Sequence, residues 1–503
     1  MVRAATNGET AGAAPGTTVA VVGGGIAGLS AAWELASAAP GTRIVVLESE
    51  DRLGGKLHTG HIGGRAVDLG PDAFLARRPE AVALCGELGL DDELVSPGSR
   101  SAYVWARGRL RRLPAGLALG VPTRLGPLAR SGILSPLGVG RAGLDVLGWR
   151  SPRGAARHDT SDRPVADITR RRLGREVTAR LVDPLIGGIH AGDTTHTSAA
   201  AVFPALLDAA AHGGSLMRAL RPPSSSAPSA STDPDGPGAD PPVFFTVRGG
   251  LSRLVDTLAA ALGTRGVEIR LQSPVDRLEL RTLGDGDRGA KRWTLHTALG
   301  TVEADGVVIA TPATSATALL APVDSVVAGL LGAIDYADVT LVTLQLPASG
   351  VSRPLDGTGF LVPTSADCLI TACTWLTSKW PDLQRPGDIL LRASTGRFGD
   401  DRVRLMSDHE IVARVLGDLG PMMGLRSEPT EVVVTRWPAA FPQYAPGHLQ
   451  RVASIEHAVA RLPGLALAGA AYRGVGIPAC IASGRQAARA ALGGPVGAGL
   501  THR

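Results

Sequence analysis

Hydrophobic runs near the N-terminus follow a strand–helix–strand order. Thr18–Val22 and Ile44–Leu47 are short, continuously apolar runs, which is the pattern of strands buried on both faces. Between them lie a glycine-rich turn and an apolar-periodic segment that reaches Ser37, which predicts a helix. Two buried strands joined by a helix form a βαβ unit. The pattern therefore predicts an α/β fold.

The rest of the chain continues this alternation, apart from two segments of different character. Strands are predicted at Phe244–Val247, Val267–Leu271, Trp293–Thr297, Val307–Pro312, Val339–Leu346, Ile389–Ser394 and Leu465–Gly469, and helices at Leu251–Leu262 and Ala479–Leu492. Residues Arg107 to Leu220 are rich in Leu, Arg, Pro and Gly and are predicted to be helical. The tract from Arg221 to Pro242 is rich in Pro, Ser, Asp and Gly, so it cannot bury apolar area. We expect this tract to be a flexible surface insertion.

Three glycines in the first turn have the spacing of the dinucleotide-binding fingerprint. Gly23 permits the tight turn, Gly25 lets the backbone approach a pyrophosphate, and Gly28 lets the helix pack closely on the strand. The N–H groups and the dipole of the helix N-terminus favour negative phosphates. Glu48 follows twenty positions after Gly28 and can accept hydrogen bonds from both ribose hydroxyls. A glycine turn that binds no nucleotide is the alternative, against which the flanking strand, helix and acid argue together.

The residues that follow Glu48 separate FAD from NAD as the expected nucleotide. Arg52, Gly54, Gly55 and Lys56 place an Arg-x-Gly-Gly sequence directly behind the second strand. A Gly-Gly pair lets the chain double back over the far half of a long cofactor, where Arg52 and Lys56 can face phosphate or flavin oxygens. This arrangement resembles the amine-oxidase-like flavoprotein superfamily. Two solvated charges on a loop are the alternative interpretation of Arg52 and Lys56.

The C-terminal part of the chain is predicted to return to the same cofactor. The strand Leu465–Gly469 and the helix Ala479–Leu492 are separated by a turn that contains Gly474 and Gly476. The helix N-terminus would present a positive dipole end to the electron-rich N1/C2=O side of a reduced flavin. The nucleotide-binding domain is therefore predicted to be discontinuous.

Composition narrows the classes of function. The chain has 503 residues, of which 44% are hydrophobic, so it can bury a sizeable core and divide into two or three domains. The net charge is +5 without a Lys/Arg-rich tract, which argues against nucleic-acid binding. The four cysteines lack metal-ligand spacing, so no metal site is expected. Neither a signal peptide nor a membrane span is predicted, which favours a cytoplasmic protein with at most peripheral membrane contact.

Four further segments resemble one family within that superfamily. They are Gly70–Leu75 (GPDAFL), Pro184–Asp193 (PLIGGIHAGD), Trp437–Tyr444 (WPAAFPQY) and Tyr472–Ile481 (YRGVGIPACI). They are similar to elements of the protoporphyrinogen/coproporphyrinogen III oxidase family, and the likeness covers nearly everything outside the N-terminal tail and the 221–242 tract. His190 stands where this family usually has Tyr, and Ala479 stands where it usually has Asp.

The resemblance implies an enzyme with non-covalent FAD that removes six hydrogens from a porphyrinogen, with oxygen as the acceptor and hydrogen peroxide as a product. For the bacterial branch it implies coproporphyrinogen III as the substrate, a place in haem biosynthesis, and hand-over of the product to a ferrochelatase-type enzyme. No catalytic acid, base or nucleophile is nominated, because electron-rich pyrroles activate the methylene bridge that is oxidised.

The fingerprint and the resemblance together nominate cofactor-binding residues along the whole chain. They are Gly23, Gly24, Gly25, Ile26, Ala27, Gly28, Glu48, Ser49, Arg52, Gly55, Lys56, Gly70, Pro71, Asp72, Ala73, Val275, Trp437, Gly469, Val475, Gly476 and Ile477. Cys480 is interpreted as a buried thiol, with covalent flavin attachment as the less favoured alternative.

Arginine is the expected handle for substrate propionates, because its guanidinium fork binds a carboxylate bidentately. Arg78 is the preferred anchor, with Arg77 beside it, and a solvated pair that precedes a helix starting at Pro79 is the alternative. His190 is predicted either to line the substrate cavity or to pack in a turn. The arginines at 107, 109, 111 and 112 are interpreted as a solvated loop or hairpin.

The predicted fold is α/β, with a discontinuous Rossmann-like FAD-binding domain, a mixed-sheet substrate domain and a helical domain. The FAD-binding domain takes residues 17–95, 243–312 and 430–495, the helical region takes 96–220, and the substrate domain takes 313–429. Residues 1–16 are predicted to be a disordered tail and 221–242 a disordered insertion. The helical region resembles the membrane-docking part of the family, and its leucines are interpreted as bundle core.

Three other functions stay open on the sequence alone. The first is oxidation of protoporphyrinogen IX by the same chemistry. The second is another flavin oxidase of this fold, acting on amines or carotenoids, although the chain has only four tyrosines from which to build the aromatic cage of an amine oxidase. The third is a non-catalytic tetrapyrrole carrier that keeps FAD for structure.

Overall fold

The structure is a computed structural model that describes residues 16–147, 161–222, 242–282 and 291–493. Residues 1–15 of the predicted tail and residues 223–241 of the predicted insertion lie outside this described part. None of the helices within it is both long and apolar enough to cross a bilayer.

Twenty-two strands are present in the described residues. They are β1 Thr18–Val22, β2 Arg43–Leu47, β3 Thr59–Ile62, β4 Arg65–Asp68, β5 Phe74–Leu75, β6 Leu94–Val95, β7 Tyr103–Ala106, β8 Arg109–Arg112, β9 Leu117–Ala118, β10 Val121–Pro122, β11 Phe244–Val247, β12 Glu268–Arg270, β13 Val275–Thr282, β14 Lys291–Thr297, β15 Gly300–Ala304, β16 Gly306–Ile309, β17 Tyr336–Pro347, β18 Gly359–Leu361, β19 Ile370–Trp375, β20 Asp388–Thr395, β21 Glu431–Pro442 and β22 Leu465–Leu467.

Eighteen α-helices are present in the same residues. They are α1 Ile26–Ala38, α2 Pro79–Glu87, α3 Leu125–Ser131, α4 Pro136–Gly143, α5 Val165–Leu173, α6 Arg175–Val177, α7 Asp183–His190, α8 Ala199–Val202, α9 Pro204–His212, α10 Leu216–Ala219, α11 Ser252–Thr264, α12 Ala313–Leu320, α13 Ser325–Gly332, α14 Leu376–Lys379, α15 Arg402–Leu405, α16 Asp408–Leu419, α17 His448–Val459 and α18 Ile477–Ala491.

A five-stranded parallel sheet in the order β12-β2-β1-β16-β22 forms the nucleotide-binding core. Alternate residues of β1 enter opposite clusters: Val19 and Val21 pack with α1, α11 and α18, whereas Ala20 and Val22 pack with α12, α13 and α17. Strands from the N-terminus, the middle and the C-terminus meet in this one sheet. The predicted discontinuous α/β arrangement is confirmed.

Helices α1 and α18 lie against each other beside this sheet. A Cβ at Gly484 of α18 would lie 2.0 Å from the Ala27 carbonyl oxygen of α1, so only glycine allows this approach. α18 begins at Ile477, two residues before the predicted start, because Pro478 fits the first turn of a helix.

A seven-stranded mixed sheet in the order β21-β17-β20-β19-β18-β7-β8 forms a second layer of the molecule. Only the β18–β7 pair is parallel in the described register. The edge of this sheet corrects the prediction that Arg107 to Leu220 is helical throughout. β8 forms a hairpin with β7, because Arg107 and Gly108 both adopt positive φ, at 55° and 71°, as a two-residue hairpin turn requires. Helices dominate only from α3 onward.

The proposed domain division differs from the packing in two places. β21 pairs with β17 in the seven-stranded sheet, although residues 430–495 were assigned to the FAD-binding domain. α12 and α13, assigned to the substrate domain, contribute to the hydrophobic cluster on one face of the parallel sheet. A linear sequence gives little indication of which core such a helix or strand will join.

Candidate active site

The glycine turn after β1 leaves open space where a phosphate would need it. Gly23 has φ of +104°, and a Cβ at Gly28 would lie 1.9 Å from the Gly23 carbonyl oxygen. Gly25 caps the N-terminus of α1 with φ of −70°, and a Cβ there would meet no heavy atom within 4 Å. No protein atom therefore fills the space where a Cβ of Gly25 would lie. This space adjoins a helix N-terminus, whose dipole favours anions. This open cradle fits a pyrophosphate.

Glu48 is fixed at the side of this cradle. Its carboxylate is buried and accepts hydrogen bonds from Gly24 N at 2.6 Å, Glu50 N at 2.9 Å and the Ser49 hydroxyl at 3.1 Å. A carboxylate has about four acceptor positions, so capacity remains for a ribose hydroxyl. Ser49, which was nominated as a cofactor residue, here orients Glu48.

The Arg-x-Gly-Gly loop folds back onto the glycine turn. Gly54 N donates to Gly24 O at 2.9 Å, and Gly54 and Gly55 have φ of +97° and +56°. Arg52 donates to the Gly55 carbonyl at 2.8 Å and to the Leu53 carbonyl at 3.3 Å. Arg52 therefore stabilises the loop, and its contact with phosphate or flavin oxygens stays a prediction.

Lys56 and Cys480 lie close to each other near the start of α18. Burial lowers the pKa of Lys56, and the nearby Cys480 partly offsets this. Burial raises the pKa of the Cys480 thiol to about 11, although Lys56 opposes the shift. Cys480 is a free, buried thiol with little thiolate at neutral pH, in agreement with its interpretation.

The segment from Leu69 to Ala73 is held by side chains from the seven-stranded sheet. Arg392 donates to the Asp68 and Gly70 carbonyls at 2.7 and 3.0 Å, and Trp437 Nε1 donates to the Leu69 carbonyl at 2.8 Å. A Cβ at Gly70 would lie 2.1 Å from the Lys56 carbonyl oxygen, so the two nominated segments pass in close contact. This packing places Gly70 and Lys56 side by side.

Asp72 closes the same arrangement with an ion-pair network. Its carboxylate lies 2.8 Å from Lys379 Nζ and 3.1 Å from Arg392, and accepts a hydrogen bond from Trp380 Nε1 at 3.0 Å. Burial alone would raise the pKa of Asp72, but the two cations outweigh it and hold the pKa well below its ordinary value. Three protein partners therefore hold the side chain of Asp72, and its contact with a cofactor stays a prediction.

Sequence reasoning did not find Lys379, Trp380 or Arg392. They follow no local motif and lie about 300 positions from Asp72 in the chain. The one indication of this network in the sequence was Arg392, a charged residue flanked by apolar residues in a predicted strand.

His190 is the last residue of α7, and its ring packs against the ring of Tyr444. Their ring centroids are 6.1 Å apart, and Gln443 Nε2 donates to the His190 carbonyl at 3.1 Å. Burial lowers the pKa of His190 to about 4, so the imidazole is neutral at physiological pH. Of its two predicted roles, packing is visible in these contacts.

The nominated arginines differ in exposure. Arg77 is exposed, whereas the Arg78 side chain is 31% exposed and lines a pocket with α17 and α18. No hydrogen bond, ion pair or ring contact in the described ranges joins Arg78 to His190.

The remaining nominated residues lie near the carboxyl ends of the strands of the parallel sheet. Val275 begins β13, two residues after Ser273, whose N–H donates to the Glu48 carbonyl at 2.7 Å. Gly469 follows β22 with φ of +123°, and Gly476 caps α18 without a side-chain hydrogen bond. The first N–H groups of α18, beside Val475 and Ile477, therefore remain available to an anionic partner.

Comparisons with known proteins agree with this geometry. Residues 26–492 match the family described as flavin containing amine oxidoreductase. A coproporphyrinogen III oxidase from Bacillus subtilis is 32% identical over 491 residues, covering 94% of this chain and 97% of its own. A coproporphyrinogen III oxidase from Mycobacterium tuberculosis is 35% identical over 473 residues, covering 92% and 95%. A solved structure from Exiguobacterium sp. 255-15, provisionally assigned as a protoporphyrinogen oxidase, has a TM-score of 0.80 at 30% identity and covers 95% of this chain and 99% of that one. The chain therefore belongs to the flavin-containing amine oxidoreductases and, within them, to the protoporphyrinogen/coproporphyrinogen III oxidase family.

Proposed function

We propose that this chain is an FAD-dependent oxidase that converts coproporphyrinogen III to coproporphyrin III in haem biosynthesis. One porphyrinogen loses six hydrogen atoms, and three molecules of oxygen take them up as three molecules of hydrogen peroxide. The observation that carries the proposal is the open cradle at Gly25 with Glu48 fixed beside it. Similarity to relatives of that name along nearly the whole chain supports the substrate.

The residues that would hold FAD follow from their places in the fold. The turn Gly23–Gly28 would take the pyrophosphate and Glu48 the adenosine ribose. Gly55–Lys56, Gly70–Ala73 and Val475–Ile477 would surround the isoalloxazine. When bound, FAD supplies a two-electron acceptor that oxygen can regenerate.

The protein contributes orientation and charge to the reaction. The amino end of α18 and the ammonium of Lys56 present positive charge near the same place, which favours developing negative charge. Arg392 and Trp437 hold the 69–73 segment rigidly, so the substrate would meet a fixed surface. The carbon–hydrogen bond that is broken belongs to a methylene bridge between electron-rich pyrroles, so its oxidation requires no strong protein base.

Arg78 is the proposed anchor for a substrate propionate. Its one ion pair in the described part of the chain is a long contact to Glu80, with Nε and Oε2 3.9 Å apart. The guanidinium fork is therefore still able to bind a carboxylate bidentately. Arg77 is proposed as an outer contact and His190 as part of the cavity wall.

Parallel kinetics with two porphyrinogens test the proposal. Coproporphyrinogen III and protoporphyrinogen IX would be supplied to the FAD-loaded enzyme in air, with porphyrin fluorescence and oxygen uptake recorded together. We expect a higher kcat/KM for coproporphyrinogen III and three molecules of oxygen consumed per porphyrin. A higher kcat/KM for protoporphyrinogen IX would overturn the substrate, and no porphyrin from either would overturn the function.

A further inference from the structure

A short segment after β21 connects the helical region to the turn that leads into α18. Gln443 Nε2 donates to the His190 carbonyl at 3.1 Å, and the Tyr444 carbonyl accepts from Ser198 N at 2.7 Å. Both partners, His190 and Ser198, belong to the helical region. The segment is therefore anchored on one side before it reaches the parallel sheet.

The Tyr444 hydroxyl bridges the two ends of the loop Ala470–Gly474. It donates to the Ala470 carbonyl at 2.5 Å and accepts from Gly474 N at 2.8 Å. The side chain is only 5% exposed, so water competes little for these bonds. One hydroxyl thus closes a loop that has no other side-chain bridge between these two backbone groups in the described structure.

The ring of His448 stacks on the ring of Tyr444 and so helps to fix its position. The two rings are stacked, with centroids 4.0 Å apart and an angle of 15° between planes. His448 is fully buried, and burial lowers its pKa, so the ring is neutral. Nε2 lies 2.8 Å from the Tyr472 carbonyl and carries the proton that donates to it. His448 therefore binds the middle of the loop whose ends Tyr444 holds.

The loop sets where α18 begins. Gly474 has φ of +151°, and a Cβ there would lie 2.7 Å from the Ala479 Cβ, so the loop enters the helix through a turn that only glycine permits. Gly476 then caps α18. A shift of Gly474 would move the first N–H groups of α18, which carry the positive end of the helix dipole.

We infer that Tyr444 and His448 are positioning residues that aim the amino end of α18 at the flavin and so set both FAD affinity and flavin reduction potential. This inference rests on the proposed FAD-dependent function. Neither side chain is assigned contact with the reacting atoms. Both act through the 470–474 loop, which couples the helical region to the cofactor site.

Tyr444→Phe tests the inference, because it removes the bridging hydroxyl and keeps the stacked ring. We expect the dissociation constant of FAD from the apoprotein to rise about tenfold. We also expect the variant to lose about tenfold more affinity for reduced FAD than for oxidised FAD. This difference corresponds to a midpoint potential lower by about 30 mV for a two-electron couple.

Tyr103→Phe is the matched control. Tyr103 is also 5% exposed and donates to Asp356 at 2.7 Å, but it lies in the seven-stranded sheet on β7. It should lower the melting temperature without changing FAD affinity or potential. Wild-type affinity and potential in Tyr444→Phe, or equal shifts in both variants, would overturn the inference. A wild-type protein that bound no FAD would overturn the proposed function and the inference with it.

Discussion

Single residues in this protein decide whether a cofactor can approach the backbone. Gly25 and Gly28 belong to one fingerprint, yet they serve different ends. A Cβ at Gly25 meets no protein atom within 4 Å, whereas a Cβ at Gly28 would lie 1.9 Å from the Gly23 carbonyl oxygen. Gly25 is therefore required for the ligand and Gly28 for the fold.

Gly25→Val should abolish FAD binding and leave the apoprotein folded. The backbone at Gly25 has φ of −70° and ψ of 173°, which valine adopts readily, and its side chain would occupy the space reserved for the pyrophosphate. Fluorescence titration of FAD and the apoprotein melting temperature give the two readouts. Gly28→Val is the comparison, and it should fail to fold. Retention of FAD by Gly25→Val would contradict the assignment of the cradle.

Arg78→Ala should raise KM for coproporphyrinogen III several-fold, consistent with loss of a partly exposed hydrogen bond worth roughly 1 kcal/mol. kcat should change less, because the contact forms in the ground and transition states alike. Arg78→Lys should lie between wild type and Arg78→Ala, since it keeps the charge and loses the fork. An unchanged KM in steady-state kinetics of Arg78→Ala would mean that Arg78 is a solvated residue that does not bind the substrate.

His190 should make stability depend on pH in the mildly acidic range. Its pKa is about 4 in the folded protein and near 6.5 when unfolded, so the unfolded chain binds the proton first. The contribution of neutral His190 is complete above about pH 6.5 and declines as the pH falls toward 4. Urea denaturation across this range should show a shallower loss of stability for His190→Gln than for wild type. Identical pH profiles would show that His190 is solvated in the folded protein.

Elements from distant parts of the chain build the surface beside the expected flavin. β20 and β21 supply Arg392 and Trp437 to the 69–73 segment, and α14 supplies Lys379. The family resemblance identified this segment, because the six residues Gly70–Leu75 form one contiguous motif. Its partners depend on how two sheets dock, and no local pattern encodes that. For the arginines at 107, 109, 111 and 112 the sequence left a loop or a hairpin open, since Arg-Gly is a weaker turn indicator than Asn-Gly, and the structure forms the β7–β8 hairpin.

Asp72→Asn should destabilise the fold by about 3 kcal/mol, because it leaves Lys379 and Arg392 partly buried without their carboxylate. Asp367→Asn is the control: Asp367 pairs with Arg402 at 3.4 Å but is 95% exposed, so its loss should change stability by less than about 1 kcal/mol. Equal effects of the two changes on the urea midpoint would mean that the ion-pair network of Asp72 does not stabilise the fold.

The whole molecule joins a parallel nucleotide-binding sheet to a mixed sheet through a few segments that contact both. The sequence predicted the parallel sheet and its discontinuity, because each βαβ unit carries its own hydrophobic period and glycine turn. It did not predict that β21 completes the second sheet or that α12 and α13 cover the first. Its nomination of Arg78 and His190 as substrate contacts stays a prediction: Arg78 lies beside α17 and α18, and His190 lies beside Tyr444.

Anaerobic titration of the FAD-loaded protein with coproporphyrinogen III tests the central claim most directly. One porphyrinogen carries six reducing equivalents and each flavin accepts two, so about one third of an equivalent should bleach the whole flavin absorption band while coproporphyrin III forms. Admission of oxygen should restore the band and release hydrogen peroxide. Flavin that stays oxidised in the presence of excess coproporphyrinogen III would contradict the account.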